Sequence, residues 1–160
     1  PEAQVDRFML KVVVDYPSRE EERMIINRVT TDPKNQLNPV VDLDAILHAR
    51  EIVQRIYVDD KVKEYVLDLI GATRHPSSID LPDLEELISY GASPRAGIYL
   101  ITAARANAFI HGSGYVTPDD IKQLAPDVLR HRIIVSYEAE SQEVTSSDII
   151  QKILDHIEVP

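Results

Sequence analysis

The stretch "SPRAGIYLITAARANAFIHG", residues 93–112, decides the fold. Ser93 reads as an N-cap and Pro94 as the first helical residue, and His111-Gly112 stops the helix. Between them Ala96, Ile98, Tyr99, Leu100, Ile101, Ala103, Ala104, Ala106, Ala108 and Phe109 fall on nearly every side. A helix apolar all round belongs in an interior, so other helices must surround it. One residue does not fit. Arg95 sits in the first turn, where free N–H groups already make the helix end positive, and a cation there costs roughly 0.3–1 kcal/mol. Something negative should lie close by, either a carboxylate of this chain or an anionic ligand.

The surrounding helices are legible on both sides. Downstream, Thr117-Pro118-Asp119-Asp120 caps a helix running to about Leu129, and Thr145-Ser-Ser-Asp148 opens a final one with Ile149, Ile150, Ile153, Leu154 and Ile157 inward. Upstream, "ATRHPSSIDLPDLEEL" (72–87) is a connector with a short helix expected near 82–89. Before it, Asp59 or Asp60 starts a helix whose Val62, Tyr65, Val66, Leu69 and Ile70 recur at spacings of three and four. Asp42 caps another, with Leu43, Ile46, Leu47, Val53 and Ile56 along one side. Ser18-Arg-Glu-Glu21 is a capping box for a helix to about Val29, and "TTDPKNQLNPVV" (30–41) is a loop. "YVDDKV" (57–62) and "YVTPDDI" (115–121) look alike, each a strand-like entry to a capped helix.

"FMLKVVV", residues 8–14, reads as a strand that would be buried on both faces of a parallel sheet. The weaker "HRIIVSYEA" (131–139) is the other strand candidate. A lone strand makes no sheet, so its partners are expected upstream of Pro1. The chain starts "PEAQ" without Met, which reads as a piece of something longer.

Composition narrows the function. The 160 residues are 44% hydrophobic and 28% charged, enough for a soluble core. There is no apolar run near 18 residues and no signal peptide. Zero cysteines exclude disulfides, thiolate metal sites and thiol catalysis, and fit a cytoplasmic protein. A net charge of −10 argues against non-specific nucleic-acid binding, and Arg130, His131 and Arg132 read as cations at a helix C-terminus. The five histidines show no metal-ligand spacing. Neither a nucleophile elbow nor a Gly-x-x-x-x-Gly-Lys-Ser/Thr phosphate loop occurs. Two arginines remain. Arg95 could take an oxyanion at its helix end, or pair with Asp83, Glu85 or Glu86. Arg7 could reach into a neighbouring subunit, or pair with Asp6 beside it.

"PEAQVDRFML" (1–10), "GASPRA" (91–96) and "VTPDDIKQLAPDVLRHRI" (116–133), in that order, resemble the C-terminal part of a MoxR-family (methanol dehydrogenase regulator-like) AAA+ ATPase, over nearly the whole chain. The resemblance implies a mainly α fold. Residues 1–30 would be the last strand and a helix of the nucleotide-binding core, 31–41 a linker and 42–160 the helical lid. It implies that Arg7 matches the arginine finger and Arg95 the sensor 2 arginine, with Ser93, Pro94, Arg95 and Ala96 on the phosphate side of ATP. Arg95 could serve the nucleotide of its own subunit or of a neighbour. The cofactor of the full-length protein would be ATP with Mg²⁺. Its partners would be itself, in a ring of six, and client proteins, some with von Willebrand factor A-like domains, in chaperone-like maturation. No nucleic acid and no membrane insertion are expected. The Walker motifs are absent from these 160 residues, so this chain alone is expected neither to hydrolyse ATP nor to bind it tightly. The rival reading is a stand-alone helical interaction module with no nucleotide role, in which residues 8–14 pair within the chain.

Overall fold

The structure, a computed structural model, describes residues 2–31 and 38–160. The 30–41 loop lies largely outside the described residues. The elements follow the chain as α1 (Glu2–Val5), α2 (Arg19–Thr31), α3 (Leu43–Arg55) and α4 (Asp60–Ala72). Two 3-10 turns come next, Pro76–Ile79 and Pro82–Leu84, then β1 (Ile88–Tyr90), α5 (Pro94–Ile110) and α6 (Pro118–Leu129). β2 (Ile134–Val135), α7 (Tyr137–Ser141) and α8 (Ser146–His156) complete the order. The fold is mainly helical, as expected.

The expected caps of α2, α3, α4, α6 and α8 form through their side chains. The Asp42 carboxylate accepts from the Ala45 N–H and the Asp59 carboxylate from the Lys61 N–H. Thr117 with Asp120, and Thr145 with Asp148, make reciprocal capping boxes. Such caps satisfy N–H groups that a helix cannot pair itself, each worth about 1 kcal/mol.

The core lies between α4, α5, α6 and α8. Leu69, Leu100, Ile121 and Ile149 have no solvent contact, each contributing roughly 1.5–3 kcal/mol of burial. Helix α5 is central but not enclosed. Ala96, Leu100, Ala103, Ala104 and Ala108 face the core, while Ile98 on the opposite side is 65% exposed. The expectation of burial on nearly every side is therefore corrected: the packed helices cover one side of α5, and beside Ile98 it borders an open groove with α4.

Two local readings are also corrected. The short helix expected near 82–89 is a 3-10 turn over Pro82–Leu84, and Ile88–Tyr90 form β1 and pair antiparallel with β2, Ile88 opposite Val135. Of the 131–139 strand candidate only Ile134–Val135 is extended, because Ser136 caps α7 through the Ala139 N–H. The two similar segments meet: Tyr57 and Tyr115 form a parallel bridge, the Tyr57 N–H on the Gly114 carbonyl and the Val116 N–H on the Tyr57 carbonyl. Each strand-like entry thus pairs with the other before its helix begins.

Residues 8–14 form no strand. They bend at Phe8 and Met9 and cross the C-terminal end of α6, held by the Lys11 N–H on the Asp127 carbonyl at 2.8 Å. Beyond Lys11 the valines are open to solvent, Val14 at 87%. Sheet structure needs a neighbouring strand to take up backbone groups, and none of the described residues supplies one here.

Candidate functional site at the start of helix α5

The site is built on the N-terminus of α5. Ser93 has the extended backbone of an N-cap, yet its hydroxyl caps no N–H of its own helix. It turns outward and donates to the carboxylate of Asp6, 3.2 Å from each oxygen. The Arg95 guanidinium reaches the same carboxylate, Nη1 to Oδ2 at 2.8 Å. Pro94 fixes the first helical residue, and Ala96 is fully buried beneath it. The anion that Arg95 requires is therefore a carboxylate of this chain. It is not one of those in the connector: Glu85 instead accepts from Ser77.

Asp6 is also held from the other side. Arg132 donates from Nε to Oδ1 at 3.0 Å. Its remaining donors go to four backbone carbonyls, those of Asp6, Phe8, Met9 and Val128, and its guanidinium carbon lies 5.0 Å from the centre of the Tyr99 ring. The Arg132 side chain is 1% exposed. Burial pulls its pKa below the ordinary arginine value, and the Asp6 charge opposes that pull. A fixed planar fork of donors suits such a hub. The tail of cations after α6 is thus more than a helix terminus, and Arg132 is the residue sequence reasoning missed. Its signal was slight: an arginine just past a helix end, directly followed by the apolar Ile133 and Ile134.

Arg132 and His131 together clamp residues 6–9. His131 Nε2 lies 2.9 Å from the Phe8 carbonyl, so Nε2 carries the proton, and Nδ1 is buried with no partner among the described residues. Burial pushes the His131 pKa down, the Phe8 carbonyl working against it. Tyr99 donates its hydroxyl to the Arg7 carbonyl at 3.2 Å. The Arg7 side chain projects into solvent and makes no hydrogen bond or ion pair among the described residues. Asp6 thus pairs with Arg95 and Arg132 and leaves its own neighbour unpaired.

Two hollows border the site. One of ≈ 220 Å³ is lined by Asp6, Tyr90, Ser93, His131 and Arg132. The other, ≈ 610 Å³, is the groove between α4 and α5, apolar along Val66, Leu67, Ile70, Ile98 and Ile101 with Lys63, Arg74 and Arg105 among its lining residues. Among the described residues no cluster of three or more His, Asp or Glu is placed to hold a metal. Among the described residues no helix is long and apolar enough to cross a membrane.

Residues 83–153, which carry α5, α6 and most of α8, match the AAA lid domain. The chaperone MoxR1 of Mycobacterium tuberculosis is 38% identical over all of this chain, which covers 42% of that protein. The MoxR protein of Paracoccus denitrificans is 30% identical over 85% of this chain, covering 43% of the relative. A crystal structure of a candidate ATPase from Cytophaga hutchinsonii superimposes with a TM-score of 0.95 at 38% identity, over all of this chain and 49% of that one. Over its whole length the chain is similar to MoxR-type proteins, and its central and C-terminal helices match the AAA lid domain. It spans about half the length of the curated relatives it matches. In this chain, α5 carries Ser93 and Arg95, while the loop after α6 supplies Arg132.

Proposed function

We propose that this MoxR-type lid reads nucleotide state for an ATPase core carried by the longer protein. The observation that supports it is the carboxylate held by Ser93 and Arg95 at the start of α5. The donors that grip a carboxylate there are those that suit a phosphate oxygen: a hydroxyl, a planar guanidinium and a positive helix end. Arg95 acts as the sensor 2 arginine, with Ser93, Pro94 and Ala96 shaping the phosphate side. Arg7, unpaired and projecting, acts as the arginine finger offered to a neighbour's nucleotide. ATP bound with Mg²⁺ supplies the phosphoryl group; the core holds both, and Arg95 reaches the terminal phosphate from the lid. Residues 1–30 belong with that core, which explains why 8–14 finds no strand partner here. The lid's motion drives chaperone-like maturation of client proteins, those with von Willebrand factor A-like domains included, by a cytoplasmic ring of six.

The second reading, an interaction module without nucleotide, draws on one observation: Arg95 already has an internal partner in Asp6. Against it stands the unpaired 8–14 segment, which that reading requires to be paired. ATP turnover of the full-length protein separates the two. Arg95→Ala and Arg7→Ala are each expected to lower turnover by roughly a hundredfold or more with ring assembly intact, the scale of a lost phosphoryl-stabilising charge. Wild-type turnover in both variants would leave the arginines structural.

A further inference from the structure

Asp6 occupies the place where Arg95 would need an anion, and its two arginine partners are unequal. Arg132 is fixed, with its side chain 1% exposed and its other donors spent on four backbone carbonyls. Arg95 is 44% exposed, and Asp6 is the partner its side chain has among the described residues. Of the two links to the carboxylate, the one to Arg95 is therefore the one that can open. When it opens, Asp6 keeps Arg132 and Ser93, and residues 6–9 stay clamped to the end of α6.

We propose that Asp6 is the built-in counter-anion of Arg95, holding the arginine in the nucleotide-free state and yielding it to the terminal phosphate of a nucleoside triphosphate. This deepens the sensor reading above and rests on it. A planar guanidinium that is hydrogen-bonded to a carboxylate has fewer donors free for phosphate. The carboxylate also repels the incoming negative charge. Both effects weaken triphosphate binding, and neither touches a diphosphate that does not reach Arg95. The affinity is lowered by the fraction of molecules in which Arg95 is tied up. Asp6 thus sets the threshold at which the lid engages, and makes that engagement selective for the triphosphate. Because Asp6 directly precedes Arg7, the same residue fixes the base of the projecting arginine whether or not Arg95 is released.

The test uses the full-length protein and compares binding of a non-hydrolysable ATP analogue and of ADP by titration calorimetry. Asp6→Asn keeps the shape and an acceptor oxygen for Arg132 but removes the charge. It is expected to tighten the ATP analogue roughly three- to tenfold, the scale of one partly exposed ion pair, and to leave ADP unchanged. In an Arg95→Ala background the gain should vanish. If Arg95→Ala alone weakens the ATP analogue while Asp6→Asn leaves it unchanged or weaker, the sensor reading stands and this inference falls. If Arg95→Ala changes neither binding nor turnover, the sensor reading itself fails and takes this one with it. Asp6→Asn carries a folding risk because Arg132 is buried, so a second measurement uses the wild type. With ¹⁵N-labelled arginine, the Arg95 Nε–H signal should shift on saturation with the ATP analogue and not with ADP, while the Arg132 signal holds. An Arg95 signal that stays put at saturation overturns the proposal without any variant.

Discussion

Two residues at the end of α6 hold the N-terminal segment by different means, and each can be tested. His131 is kept neutral by burial, with its proton on Nε2 toward Phe8. Its folded-state pKa lies below the ordinary 6.5, so the unfolded chain takes up the proton first as pH falls. Stability should therefore be full above about pH 6.5 and decline through the window below it, before the carboxylates near pH 4 begin to act. Urea denaturation between pH 5 and 7.5 is expected to show this slope in the wild type and to lose it in His131→Gln. An equal slope in both proteins would place the proton elsewhere. Gly91 poses a steric test. A Cβ there would stand 2.3 Å from the Thr73 carbonyl oxygen, a backbone atom that cannot swing away. The neighbouring Ala92 N–H is bound to the buried Thr73 hydroxyl, so the approach is fixed from both sides. Gly91→Ala should cost about 1–3 kcal/mol, read as a lowered melting temperature. An unchanged melting temperature would show that β1 can move off α4.

Among the elements, the irregular segment 6–11 depends on groups of the helices it crosses rather than on a ladder of its own. Arg132 and His131 take its carbonyls, and one N–H, that of Lys11, reaches Asp127. Removing Arg132 takes a donor from four backbone carbonyls and one of the partners of the Asp6 carboxylate. The helical core does not need that contact, because α5, α6 and α8 pack through Leu100, Ile121, Val128 and Ile149. Arg132→Ala should therefore release the segment without melting the bundle. Hydrogen exchange is the direct measure: the Lys11 amide should lose its protection while amides in the middle of α5 keep theirs. Loss of protection throughout would mean that Arg132 supports the whole core and not one edge of it.

For the molecule as a whole, apolar surface is unevenly distributed. The bundle from α4 to α8 buries a continuous core, whereas Val12, Val13, Val14, Met24, Ile25, Ile26 and Val29 are all exposed. Helix α2 has no buried residue. A patch of this kind is expected to be covered by another surface, and when left open it drives association. The 160-residue chain should self-associate in a concentration-dependent way by sedimentation velocity, and a Val12→Ser, Val13→Ser, Val14→Ser variant should do so less. A wild-type chain that stays monomeric at high concentration would show that this surface is closed in solution.

The sequence by itself determined the helices, because their signals are local. Caps such as Thr117 with Asp120 and the apolar spacing of Val62 to Ile70 act within a few residues and survive any arrangement of the rest. It also determined that Arg95 needed an anion, since the helix dipole is a property of α5 alone. The strand read at 8–14 did not form, since a strand is defined by a neighbour and none of the described residues supplies one. Only the tertiary structure decided which anion Arg95 meets. Asp6 lies 89 residues away, and no local rule prefers it to Asp83 or Glu85. The burial of Arg132 was equally invisible, because its acceptors are carbonyls brought to it by a distant segment. The pairing of β1 with β2 was missed because two- and three-residue strands carry no periodicity to read. Local backbone chemistry is written in neighbouring residues, whereas the partner of a charge is fixed only when the chain closes on itself.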